Sequence, residues 1–261
     1  MALSKPIGVF DSGIGGLTIA SAIKRKLPQA SIIYFGDTAH LPYGDKSATL
    51  IKGYIRNISN FLFEQDCGHL VVACNSASSV LTNDLLPAGY QSVLNVIDPV
   101  VNRVVMETGI QTVGVIGTRR TINSHVYRNR IKKQSESLLV KELATPLLAP
   151  MIEDGFVRNS ISRSVIHEYL KRLGPVDALI LGCTHYPLIR TEIQEYIGND
   201  VLLLDAPDLI ADQLVKENDI SPNQSGTDHF YVSDFTESFE QTAQSFFGAS
   251  IHLEQRSIHP K

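Results

Sequence analysis

The chain has 261 residues, of which 43% are hydrophobic and 19% charged, and it carries a formal net charge of −4. That length suits one large domain or two ordinary ones, with a core that needs no covalent staples. The acidic balance argues against nucleic acid as a partner, no apolar run reaches membrane-span length, and three cysteines argue against a disulfide scaffold.

Residues 1–6 contain no apolar leader core, so a cytosolic protein is expected. Ile7-Gly8-Val9-Phe10 reads as a strand, residues 11–16 as a glycine-rich turn, and residues 17–27 as a helix stopped by Pro28. A second strand at 31–35 closes on Gly36 and Asp37, and a helix fits 48–64. Leu70-Val71-Val72-Ala73-Cys74-Asn75-Ser76 is then an apolar run ending in a thiol beside a polar turn, with a helix predicted over 78–86. Such alternation predicts a parallel sheet with helices on both faces.

The pattern then restarts. Residues 113–118 match 7–12 at an offset of 106 (113 − 7), and 137–140 match 31–34 at the same offset. Leu179-Ile180-Leu181-Gly182-Cys183-Thr184-His185 is a near copy of the first cysteine strand, 109 residues on (183 − 74). A period this long predicts duplicated parallel-sheet α/β domains, and if the two halves face each other about a pseudo-two-fold axis their strand ends line one cleft. The expected boundaries are 1–98 plus 208–261 for the first domain and 99–207 for the second. The tail reads as a helix at 208–216, a loop at 218–228, a strand at 229–232 and a helix at 236–247. The basic residues Arg119, Arg120, Arg128, Arg130, Lys132 and Lys133 read as a solvated helix face.

In open parallel α/β sheets, ligands bind beyond the carboxyl ends of the strands. Asp11, Ser12, Asp37, Cys74, Asn75, Thr118, Cys183, Thr184 and His185 all fall there. Two thiols in equivalent places suit a reaction that removes a proton from one face of a carbon and returns one to the other. A free thiol titrates near about 8.5, so a modest shift makes it a base, and a helix beginning after each cysteine is expected to favour the thiolate. Asp11 and His185 stand ready to carry protons at each thiol. Ser12, Asn75, Ser76, Thr118, Thr121 and Thr184 are neutral donors for a carboxylate ligand, in the absence of a strand-end arginine fork. The structural readings are a helix cap for Asp11, a hydrogen-bonding helix start for His185, and small buried hydrophobes for the cysteines.

Cys67 lies seven residues before Cys74, roughly 23 Å along an extended strand. It and His69 therefore cannot share a site with Cys74, which weakens a metal reading that joins them to the second cysteine turn, and no metal is expected. Two other functions stay open. The turn from Asp11 to Thr18 resembles a dinucleotide loop and Asp37 falls at a ribose position, but Thr18 replaces the third glycine and Asp11 opposes a phosphate. A binding module without catalysis would use the same cleft.

The motifs Phe10-Asp11-Ser12-Gly13-Ile14-Gly15-Gly16, Pro42-Tyr43-Gly44, Ala73-Cys74-Asn75-Ser76-Ala77-Ser78 and Gly182-Cys183-Thr184-His185-Tyr186-Pro187 resemble those of glutamate racemases. Gly117-Thr118 with Thr121, and Pro150-Met151-Ile152-Glu153, also fit. Serine stands at Ser76 where the family usually has threonine, and Asp98-Pro99 where it has Glu-Pro. The resemblance implies a cofactor-independent racemase of two α/β domains, with the active site in the cleft between them, that interconverts L- and D-glutamate and supplies D-glutamate for peptidoglycan. It implies Cys74 and Cys183 as the acid/base thiols, with Cys74 acting on D-glutamate, Cys183 on L-glutamate, Asp11 assisting Cys74 and His185 assisting Cys183. Ser12, Pro42, Tyr43, Gly44, Asn75, Ser76, Thr118, Thr121 and Thr184 would hold the substrate, with Asp37 and Glu153 at the edge. The only small-molecule partner implied is glutamate, and a homodimer is expected.

Overall fold

The computed structural model describes residues 5–217 and 227–258. The first half runs β1 (Ile7–Asp11), α1 (Leu17–Lys26), β2 (Ile32–Gly36), α2 (Ala48–Glu64), β3 (His69–Val72), α3 (Asn75–Ser78) and β4 (Ser92–Asn95), then α4 (Asp98–Val105). The second runs β5 (Thr112–Gly117), α5 (Arg119–Asn123), α6 (Val126–Gln134), β6 (Leu139–Ala144), α7 (Leu148–Glu153), α8 (Ser160–Leu173), β7 (Ala178–Gly182), α9 (Arg190–Ile197) and β8 (Leu202–Leu204). The tail adds α10 (Pro207–Glu217), β9 (His229–Val232), α11 (Glu237–Phe247) and β10 (Leu253–Gln255). Of the loop expected at 218–228, all but Thr227 and Asp228 lies outside the described residues.

Two parallel sheets result, ordered β10-β9-β2-β1-β3-β4 and β6-β5-β7-β8. The segments β2-β1-β3-β4 and β6-β5-β7-β8 have the same order, so the repeat seen in the sequence is a repeat of topology. The tail strands extend the first sheet beside β2, and α10 and α11 pack on α1.

Strand burial explains the run-like hydrophobicity. Every residue of β1, β2 and β7 is buried, because helices cover both faces. Along the first sheet the two faces alternate. Ile7, Val9 and Val71 join the core that continues into the second sheet, whereas Phe10, Leu70 and Val72 pack with Ile51, Ile55, Ile58 and Leu62 of α2. In α2 those buried positions recur at helical spacing, and Ser47 caps the helix by accepting from the Leu50 N–H.

The helix predicted over 78–86 does not form. A single turn, α3, starts directly after Cys74, and only a 3-10 turn follows at Asn83–Leu85. Ser78 and Ser79 hydroxyls donate to the Val72 and Ser76 carbonyls, competing with helical bonding, and Leu86 is extended because Pro87 follows it. After Cys183 the chain likewise makes a 3-10 turn, Tyr186–Ile189, before α9 begins. The strand expected at 137–140 starts at Leu139 and runs on to Ala144 as a half-exposed edge.

Candidate active site

Both cysteine strands deliver their thiols to one cavity of about 60 Å³. Ser12, Leu41, Pro42, Tyr43, Gly44, Cys74, Asn75 and Ser76 line it from the first sheet's side. Thr118, Ala149, Pro150, Glu153, Cys183, Thr184 and His185 line it from the second.

The glycine turn after β1 is shaped by close approach. A Cβ on Gly15 would lie 2.5 Å from the His185 ring and from Thr184 Oγ1, and one on Gly16 would lie 2.5 Å from Asp11 Cβ. Space that a dinucleotide loop would offer to a pyrophosphate is filled here by the opposite cysteine turn. Thr18 Oγ1 lies 3.1 Å from the Thr184 carbonyl oxygen and 2.9 Å from that of Gly15, which ties α1 to that turn.

The two thiols have unlike neighbours. Cys74 Sγ donates to Ser12 Oγ at 3.5 Å. Burial, reinforced by the negative charge of Asp11, pushes its pKa up to about 12. That corrects the expected helix-dipole assistance, because α3 is one turn long and desolvation dominates. Asp11 is itself buried and raised by desolvation, partly offset by the positive charge of His185. Its carboxylate accepts from the Gly13 N–H at 3.0 Å and from Thr184 Oγ1 at 3.4 Å.

Cys183 faces an imidazole instead. Its Sγ lies 3.6 Å from His185 Nδ1, and His185 Nε2 lies 2.7 Å from Glu153 Oε1. Burial by itself would lower His185, but the Cys183 thiolate and the Glu153 carboxylate outweigh it and hold the imidazole well above its ordinary value. The arrangement thus pairs a protonated Cys74 thiol on one side of the cavity with the Cys183 sulfur beside a cationic imidazole on the other.

Residues 18–214 match the profile of the Asp/Glu/Hydantoin racemase family. The chain belongs to that family. Glutamate racemase 3 of Caldanaerobacter subterraneus subsp. tengcongensis is 40% identical over 260 residues, covering 97% of this racemase and 94% of that relative. The structure of glutamate racemase from Francisella tularensis subsp. tularensis SCHU S4 in complex with D-glutamate superposes with a TM-score of 0.90 at 36% identity, covering 98% of each chain. A glutamate racemase isoform from Bacillus anthracis also reaches 0.90, at 32% identity, with coverage of 98% and 99%.

Three residues that the sequence placed in the site of this racemase do not line the cavity. Asp11 lies behind Gly13 and Thr184, as described. The Asp37 carboxylate is buried behind Tyr43, accepting from the Tyr43 hydroxyl at 2.6 Å and from Ser233 Oγ at 2.8 Å, with His40 Nδ1 at 2.8 Å. Thr121 is buried one turn behind Thr118, its hydroxyl 3.2 Å from that of Thr118. The Ser76 hydroxyl meets Thr118 Oγ1 across the cleft at 2.8 Å.

Leu41, Ala149 and the supporting residues Ser233 and Tyr127 join the site without belonging to any of the sequence motifs. The apolar liners carry no chemical signature, although the Leu41-Pro42 bond beside Tyr43 is cis. The basic residues expected on a solvated helix face partly join the halves: Arg119 pairs with Asp45 at 3.0 Å, and Arg120 Nε donates to the Lys46 carbonyl.

Proposed function

We propose that this racemase interconverts L- and D-glutamate without a cofactor, using Cys74 and Cys183 as the two acid/base groups. The observation that carries the proposal is that one thiol from each sheet lines the same small cavity. The near full-length similarity to glutamate racemases supports the choice of substrate.

In the L-to-D direction, Cys183, as a thiolate paired with the His185 cation, removes the α-hydrogen of L-glutamate. Cys74, held protonated by burial and Asp11, delivers a proton to the opposite face. In the reverse direction Cys74 acts as base on D-glutamate, with Asp11 assisting proton exchange there. Groups of this kind contribute roughly 10²- to 10⁴-fold each. Ser12, Pro42, Tyr43, Gly44, Asn75, Ser76, Thr118 and Thr184 hold the substrate's carboxylates and ammonium. Asp37 acts through Tyr43, Thr121 through Thr118, and Glu153 through His185.

The proposal extends to the setting. D-glutamate made here feeds peptidoglycan synthesis in a bacterial cytosol, and the protein works as a homodimer, with domains divided at 1–98 plus 208–261 and at 99–207. Among the described residues no helix is long and apolar enough to cross a membrane.

The test is incubation of each enantiomer of glutamate and aspartate in deuterated buffer, followed by chiral chromatography and mass analysis. Expected is racemisation of glutamate with one solvent deuterium at the α-carbon, and loss of racemisation in Cys74→Ala and in Cys183→Ala. Racemisation at the parent rate in either variant defeats the two-thiol mechanism. Racemisation of aspartate alone defeats the substrate assignment.

A further inference from the structure

Tyr127 touches both cysteine turns. It is buried in the first turn of α6, in the half that carries Cys183. Its hydroxyl crosses the cleft and donates to Asn75 Oδ1 at 2.7 Å. Asn75 directly follows Cys74 and lines the cavity. The ring lies against the other turn: a Cβ on Gly182, the residue before Cys183, would sit 3.4 Å from Tyr127 Cε2. Burial pushes the phenol's pKa up, so the hydroxyl keeps its proton and remains a donor.

A purely packing role would suit phenylalanine here, since a buried hydroxyl needs a partner to offset its desolvation. The partner is a side chain of the cavity wall. An asparagine amide has one accepting end and one donating end. With Oδ1 committed to Tyr127, the Nδ2 amino group is what Asn75 offers to the cavity. Such a group complements a carboxylate and disfavours an ammonium.

We propose that Tyr127 is a positioning residue that fixes the polarity of Asn75, so that Asn75 donates to a substrate carboxylate, and that seats the Cys183 turn against the same ring. This rests on the two-thiol racemase reading. The neighbouring Ser76–Thr118 contact makes the same cleft-spanning connection one residue on. Together they dock the turn after Cys74 onto the segment that leads from Thr118 into α6.

The experiment compares kcat and KM for D- and L-glutamate in the parent enzyme, Tyr127→Phe and Asn75→Asp, with thermal unfolding of each. Tyr127→Phe keeps the ring and releases the amide. KM is expected to rise about tenfold for both enantiomers, the equivalent of one net hydrogen bond, with kcat within about twofold of the parent. Asn75→Asp still accepts from Tyr127 but turns a second oxygen to the cavity, so KM is expected to rise by about a hundredfold through repulsion of the carboxylate. Parental KM in a folded Tyr127→Phe overturns the proposal. Parental or lower KM in Asn75→Asp does so too, even where Tyr127→Phe fails to fold. A parent that does not racemise glutamate defeats the functional reading instead, so the two failures are distinct.

Discussion

His185 Nε2 lies 2.7 Å from Glu153 Oε1, while Nδ1 of the same ring faces Cys183 Sγ at 3.6 Å. The carboxylate on α7 therefore orients the imidazole so that its second nitrogen meets the thiol. The raised pKa of His185 reflects this pair of anions, which outweighs burial.

That relationship gives a signed pH dependence. A cation favoured by the fold contributes its full stabilisation below its ordinary value of about 6.5 and loses it as pH rises through the elevated folded value. Glu153→Gln removes one of the anions and lowers that folded value. The pH at which the stabilisation disappears is expected to move down in Glu153→Gln, as read from thermal unfolding midpoints between pH 6 and 9. An unmoved midpoint would show that Glu153 does not govern the imidazole.

Cys74 is predicted to be a poor nucleophile in the free enzyme. With its pKa pushed up to about 12, roughly one molecule in ten thousand carries the thiolate at pH 8. Asp11→Asn removes the second cause of the shift and is expected to speed iodoacetamide labelling of Cys74. Cys67 is an internal control, since burial and Asp66, not Asp11, hold it at about 12. Peptide mass analysis should show faster labelling at Cys74 and an unchanged rate at Cys67.

Gly15 is predicted to be intolerant of a side chain for reasons of catalysis. A methyl group 2.5 Å from His185 and Thr184 must displace them, at about 1–3 kcal/mol of stability and with a large loss of kcat. Gly53, inside α2 with nothing within 4 Å of its added Cβ, is the contrast. Gly53→Ala is expected to stabilise the protein by about 0.5–1 kcal/mol with unchanged activity. Chemical denaturation and steady-state kinetics check both.

Asp37 is predicted to act through stability and through Tyr43. Removing a donor from this buried carboxylate, by Tyr43→Phe or Ser233→Ala, is expected to cost about 1–3 kcal/mol in either case. Because the donors share one acceptor group, the double variant should depart from additivity in denaturant unfolding.

Much of this protein was written in local pattern. The strands at Ile7, Ile32, His69, Thr112 and Ala178 are buried apolar runs bounded by turn residues, and α2 spans the very residues its periodicity indicated. By contrast β4, β8 and β10 are short, three or four residues each, and carry too little pattern to stand out. The helix expected after Cys74 failed because propensity over 78–86 lost to serine hydroxyls and to Pro87.

The sequence by itself determined the repeat, the two thiol-bearing strand ends and the polar residues beside them, because strand periodicity and turn chemistry are short-range. Only the tertiary structure decided that Asp37 serves Tyr43, that Glu153 serves His185, and that Tyr127 reaches Asn75. These partners lie 6, 32 and 52 positions apart; the first meet by the folding of a loop onto itself, the second by the packing of α7 on the turn after β7, and the third by the docking of one half on the other. Burial is equally a property of the assembled halves, and burial is what drives Cys74 towards its protonated form.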